Sequence, residues 1–150
     1  MSTVELLVGV WELVAYERLG ADGERSLPFG PDPRGQLMYA SSGHMSASIS
    51  AFERPMLGMA PERLRQERSP LKRLKGALTL FKGAVAHASY AGRYHVEGDT
   101  VVHHVSSASF ADWVGTELRR HMAMDSDKLI LTFKDGLNAD NTLSWRRLAS

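Results

Sequence analysis

The residues of this chain with chemistry to offer are histidines, arginines and tyrosines. Cysteine is absent, which removes thiol nucleophiles, disulfides, thiolate zinc sites and iron–sulfur clusters together. His103 and His104 are adjacent in an alternating stretch, so in an extended chain their imidazoles point to opposite sides. If Val101, His103 and Val105 form the apolar face, His103 is inside; an intervening bulge would put His104 there instead. An interior imidazole with a pKa near working pH can act as a general acid or base. The plainer reading is a core histidine satisfied by a tyrosine or serine of the wall. Arg120 lies between Leu118 and Met122 on the apolar face of its stretch, with Glu117, Arg119 and His121 on the polar face. An arginine facing an interior must be paired, because an isolated buried charge is very costly. The partner is a ligand carboxylate, enolate or phenolate held by the guanidinium fork, or Glu12 or Glu17 of the chain itself, or solvent at an open mouth.

These three residues, His103, His104 and Arg120, are the catalytic candidates. The candidates for ligand contact are Tyr39, Met45, Ile49, Tyr90, Tyr94, Trp113, Met122, Phe133 and Trp145. For the tyrosines and Trp113, simple packing is the plainer reading. The six histidines show no HExxH or related spacing, so neither a metal nor another cofactor is expected. No Walker loop or dinucleotide fingerprint is present, and no serine sits in a nucleophile elbow.

The elements that position these residues are mostly strands. Alternation predicts them at Val10–Arg18, Gly35–Ala40, His44–Phe52, Tyr90–Val96, Thr100–Ser107, Trp113–Ala123, Leu129–Phe133 and Thr142–Leu148. Turns such as Ser41-Ser42-Gly43, Glu97-Gly98-Asp99 and Asp125-Ser126-Asp127-Lys128 join neighbours. Trp11, Leu13 and Ala15 are read as inward on the first strand, Met45, Ala47, Ile49 and Ala51 on the third, and Leu129, Leu131, Phe133, Leu143 and Trp145 near the end. Residues 53 to 87 break the alternation. A short helix is expected over Glu62–Arg68 after Pro61. A second begins with Ser69 as N-cap and Pro70 at its first position. Its Leu71, Leu74, Leu78, Phe81 and Val85 form one apolar face, while Gly76 favours a bend or early end. That face can cover the core, lid one end of the molecule or, with the surrounding cations, touch an anionic membrane.

A chain of 150 residues points to one domain, 1–150, and is long enough to bury a core without staples. The 18 basic and 17 acidic residues leave a net charge of +1, which argues against a nucleic-acid partner. The charge is unevenly spread. Residues 53 to 82 hold eight basic side chains (Arg54, Arg63, Arg65, Arg68, Lys72, Arg73, Lys75, Lys82) against three acidic ones. The apolar stretch Val4–Val14 is broken by Glu5 and Glu12 and lacks signal-peptide features. A cytoplasmic protein without stable membrane insertion is the expectation.

Many short antiparallel strands in one unit must hide their edges, and closure into an up-and-down barrel does this best. Specific motifs agree. Gly9-Val10-Trp11 is similar to the Gly-x-Trp signature of lipocalins, and Ser144-Trp145-Arg146-Arg147 supplies the last-strand arginine that packs across that tryptophan in them. The run from Pro28 to Tyr39, followed by Ser42-Gly43-His44-Met45-Ser46, resembles the lipocalin-like domain family of bacteria and fungi. So do Tyr90–Val96, Gly98–Val105 and Trp113–Glu117. The resemblance covers nearly the whole chain. It implies an all-β fold: a closed up-and-down antiparallel calycin-type barrel of about eight to ten strands, with a helical insertion at about 58–86.

Fold alone does not fix function. The favoured expectation is a barrel that binds a small hydrophobic or aromatic, acidic molecule in its interior. The alternative is a cofactor-independent cyclase, isomerase or dehydratase of secondary metabolism, with an interior histidine moving a proton and Arg120 stabilising negative charge. A third reading is a ligand-free homodimer formed through exposed strands or helices.

Overall fold

The computed structural model describes residues 1–149. Nine strands follow in sequence: β1 (Gly9–Leu19), β2 (Arg25–Ser26), β3 (Arg34–Tyr39), β4 (His44–Ser50), β5 (His87–Glu97), β6 (Thr100–Ala108), β7 (Glu117–Asp125), β8 (Lys128–Lys134) and β9 (Asp140–Ala149). Three helices accompany them: α1 (Thr3–Leu7), α2 (Pro61–Gln66) and α3 (Pro70–Val85). Each strand from β3 to β9 pairs antiparallel with the next, and β1 pairs antiparallel with both β3 and β9. Eight strands therefore close on themselves, and the two-residue β2 only extends one end of β1. This is the closed meander barrel the alternation implied, and closure leaves no long unpaired edge.

Most of the predicted inward positions are in the core: Trp11, Leu13, Met45, Ala47, Ile49, Leu129, Leu131, Leu143 and Trp145 are buried, joined by Leu37 and Tyr39 of β3, whereas Ala51 and Phe133 are only part-buried. One end of the barrel is sealed. Trp11 donates its indole N–H to the Leu7 carbonyl over 3.0 Å, and the Arg147 guanidinium lies 4.1 Å from the Trp11 ring centre. Arg147 also donates to the Val8 carbonyl at 2.9 Å and to the Leu6 carbonyl. The plug is α1, unforeseen from alternation. Its start was readable: Ser2 and Glu5 form a reciprocal capping box, with each side chain bonded to the other's backbone N–H.

Two irregularities reset the pleat. Register shifts in β1 between Leu13 and Ala15 end the simple alternation, so Tyr16, rather than the expected Ala15, packs on the core. In the β5–β6 pair, Gly92 faces Val105 while Ala91 faces Ser107, leaving Ser106 as an extra residue. That bulge lies past both histidines, so it does not swap them: His103 is inside. At Gly92 the chains approach so closely that a Cβ would stand 1.8 Å from the His104 carbonyl oxygen, which only glycine tolerates.

The predicted strand Trp113–Ala123 begins only at Glu117; Ala111–Trp113 is a single 3-10 turn. In the helical segment the Ser69 cap and the Pro70 start hold, with the Ser69 hydroxyl accepting from the Lys72 N–H at 3.4 Å. Helix α3 continues without a break past Gly76. A Cβ there would lie 2.4 Å from a methyl of Leu64 on α2, so the glycine permits close packing of the two helices. The orientation of α3 corrects the expectation that its apolar face covers the core. Gly76 and Gly83 are buried, whereas Leu71, Leu74, Leu78, Phe81 and Val85 are all exposed.

Candidate functional site

The interior holds a chain of polar groups. His103, on β6, is 1% exposed. Its Nε2 lies 2.6 Å from the Tyr39 hydroxyl of β3 and its Nδ1 lies 2.8 Å from the Tyr90 hydroxyl of β5. Strands β3 and β5 flank β4, whose inward Ala47 pairs with both Leu37 and Tyr90. That small residue keeps the space between the two tyrosines free for the imidazole. Tyr90 has a second alanine, Ala108, as its cross-strand partner on β6.

The direction of these hydrogen bonds follows from counting protons. Tyr39 is 2% exposed and its hydroxyl meets only His103. If it accepted from Nε2–H, its own hydrogen would be stranded in the core. Tyr39 therefore donates to Nε2, the ring proton is on Nδ1, and Nδ1–H donates to the Tyr90 oxygen. The Tyr90 hydroxyl hydrogen is then free to donate away from His103. A neutral ring is required throughout. Burial, with the positive Arg120 second and His104 third, lowers the His103 pKa to about 3.

Arg120 on β7 completes the site. It faces inward and its guanidinium stacks 3.8 Å from the centre of the Phe133 ring on β8. Its hydrogen bond is to the carbonyl of its own neighbour, Arg119, at 3.2 Å. Neither Glu12 nor Glu17 pairs with it: Glu12 is engaged by Arg146, and among the described residues no carboxylate forms an ion pair with Arg120. The phenols nearby respond to it. Burial raises the Tyr90 and Tyr16 pKa values, and Arg120 opposes the rise at both; Tyr39 is raised well above its ordinary value by burial first. All three hydroxyls are thus neutral donors or acceptors at neutral pH. Tyr16 is itself oriented by a 2.8 Å hydrogen bond to the Asn141 side-chain oxygen, and Asn141 donates to Asp135, which pairs with Arg18.

Several sequence candidates fall elsewhere. His104 is on the outer face, as the register requires. It stacks on His95 with ring centres 4.9 Å apart, its Nε2 lies 2.7 Å from the His95 Nδ1, and Glu117 lies on its other side. It cannot reach an interior ligand. His103 is inside but is not a titrating acid or base near neutral pH, because it is fully desolvated and both nitrogens are occupied by tyrosines. Trp145, Met45 and Tyr94 are buried among core side chains, and Tyr94 donates to the Ala40 carbonyl at 2.9 Å. Met122 and Ile49 are buried packing residues as well. Trp113 and Phe133 are only part-buried; Trp113 stands edge-on to Tyr90, with ring centres 5.9 Å apart. The structure therefore brings together Tyr39, His103, Tyr90, Arg120, Phe133 and Trp113. Tyr16 was missed, since alternation gives no sign of a bulge. Two hollows, of about 290 and 360 Å³, lie elsewhere: one beside outward serines of β4 to β6, the other beside β2.

Comparison with known proteins agrees with this architecture. The chain matches the lipocalin-like domain family over residues 8–149 and belongs to it. A lipocalin-like barrel suggests binding of a small hydrophobic molecule. No curated protein matches. Among solved structures, a redesigned β-barrel is 13% identical over 97% of this chain and 94% of its own, with a TM-score of 0.46. A de novo designed fluorescence-activating β-barrel is 12% identical over 99% of both chains, with a TM-score of 0.43. The wild-type fluorescent protein UnaG is 16% identical over 97% of this chain and 100% of its own, with a TM-score of 0.41. At such low identities and TM-scores these likenesses bear on neither ligand nor chemistry.

Proposed function

We propose that the protein binds a small apolar or aromatic molecule carrying one acidic or acceptor oxygen, held inside the barrel by Arg120. The observation that carries this reading is the inward Arg120, stacked on Phe133 and given no carboxylate by any of the described residues. A guanidinium with free donors, bordered by aromatic rings, suits a carboxylate, enolate or phenolate attached to an apolar body. The hydroxyl hydrogen of Tyr90 is the second donor available to that oxygen.

Titration with anilinonaphthalene sulfonate, an aromatic anion, and with a neutral apolar dye tests this directly. Arg120→Gln should weaken the anion by about 10- to 100-fold, the worth of one charge-assisted hydrogen bond, and leave the neutral dye unchanged. Equal binding of the anion by both proteins would overturn the assignment.

The Tyr39–His103–Tyr90 chain favours one second reading, a cofactor-independent isomerase or cyclase. In it an enolate substrate binds with its oxygen on Arg120, Tyr90, its own oxygen held by the Nδ1–H of His103, gives its hydroxyl proton to the substrate carbon to leave the ketone, and water returns a proton to the phenolate. Under that reading Tyr90→Phe abolishes turnover of a bound ketone or enol substrate while leaving its affinity within a few-fold. Unchanged turnover would remove it.

A further inference from the structure

We infer that the helical segment is a docking surface for an anionic lipid membrane. This goes beyond ligand binding and does not depend on it. The observation is the orientation of α3. At 100° per residue, Leu71, Leu74, Leu78, Phe81 and Val85 fall in one arc, and Gly76, Thr79 and Gly83 fall in the opposite one. Helices on soluble barrels ordinarily turn the apolar arc inward. Here the glycine arc is the covered one, with Gly76 buried against Leu64 of α2 and Gly83 against Arg54, and the apolar arc faces away: Leu71 is 77% exposed and Phe81 is 64% exposed. The arc runs from Leu71 to Val85, about 21 Å at helical rise. It is an apolar patch of the kind that marks an interaction site.

Charge selects the occupant. Helix α3 carries Lys72, Arg73, Lys75 and Lys82 and no acidic residue. Lys75 and Lys82 fall on one border of the apolar arc, where long cationic side chains reach from an apolar surface to phosphate groups. Helix α2 and its exit add Arg63, Arg65 and Arg68. An apolar arc bordered by cations fits the interface of a bilayer with anionic headgroups. A symmetric pairing of two copies through this face would oppose two strongly positive surfaces. Turning the arc inward as a lid would require half a rotation of α3 and would bring the buried glycines out against water. Among the described residues no helix is long and apolar enough to cross a membrane, and the contact inferred here is peripheral.

Co-sedimentation of the full chain with lipid vesicles decides the matter. Vesicles of phosphatidylcholine with about one third phosphatidylglycerol should bind it, pure phosphatidylcholine should not, and added salt should weaken the binding. Lys75→Gln with Lys82→Gln should lower affinity about 25-fold, at about fivefold per cation. Leu74→Ser with Phe81→Ser should abolish binding while leaving Tm unchanged, because both side chains are already exposed. Binding to neither vesicle, or equally to both, overturns the proposal. So does a Tm loss of several degrees in the serine variant, which would show the arc packed on its own barrel. A concentration-dependent dimer that the serine variant abolishes would assign the face to a second copy instead.

Discussion

Two arginines in this barrel lie flat on aromatic rings, and they differ in what else they touch. At the sealed end, Arg147 covers Trp11 and gives its remaining donors to the carbonyls of Leu6 and Val8. Trp11 in turn donates to Leu7, and both Trp11 and Leu7 are wholly buried. In the wall, Arg120 covers Phe133 at a similar distance, but its partner is its own neighbour's carbonyl and the rings around it, Tyr16, Tyr90 and Phe133, are only part-buried. The same cation–aromatic contact closes a structure where its donors are consumed and leaves donors to offer a ligand where they are not.

That contrast can be broken by measurement. The largest effect belongs to the sealed end: Trp11→Ala should cost about 5 kcal/mol in urea unfolding, since a large buried ring, its indole hydrogen bond and the Arg147 stack are lost together. Acid comes next. The folded His103 pKa of about 3 lies below the ordinary 6.5, so the fold binds fewer protons there than the unfolded chain. Its contribution is therefore complete above pH 6.5 and is lost as pH falls toward 3, reaching about 4 kcal/mol. Glu97, held near 2 by His95 and Arg119, and Asp135, held well down by Arg18 and Asn141, add losses only below the ordinary carboxylate range. A decline already visible between pH 6.5 and 4.5, and much smaller in His103→Leu, where only the half-buried His87 with its lowered pKa still contributes, would separate the histidine from the carboxylates. A smaller difference compares the arginines themselves. Arg147→Gln should cost about 2 kcal/mol, because it removes the stack on Trp11 and the charged donor shared by the Leu6 and Val8 carbonyls, whereas Arg120→Gln should stay within about 0.5 kcal/mol. Equal costs would erase the distinction between structural and recognition arginine.

Much of the barrel was legible because its strands are half-buried. One side of each strand meets the core and the other meets water, so alternation reports the fold directly, as in the serines and apolar residues of His44–Ser50. The Trp11–Arg147 seal was legible through family resemblance. Arg120 was legible because a charge between Leu118 and Met122 is conspicuous on an apolar face. The inner histidine was a question of register, and the answer turned on where a single extra residue falls: at Ser106, after His104, and not before it. Tyr16 was hidden by the β1 irregularity for the same reason. The apolar period of α3 was correct, yet period alone carries no sign. It says that one face differs from the other without saying which of them meets the protein.

The seal has a consequence for synthesis. Strands β3 to β9 each pair with a neighbour made moments earlier, but β1 must also pair with β9, matching Trp11 to Arg147 and Leu19 to Asp140. A nascent chain emerging from the ribosome therefore carries β1 with one bare edge until the final strand is free. Arg147 bonds to Leu6, 141 residues away in sequence, only after that. Closure is the slow, non-local step of a mostly local meander, and the period before it is when the growing chain is most exposed to pairing with the wrong strand.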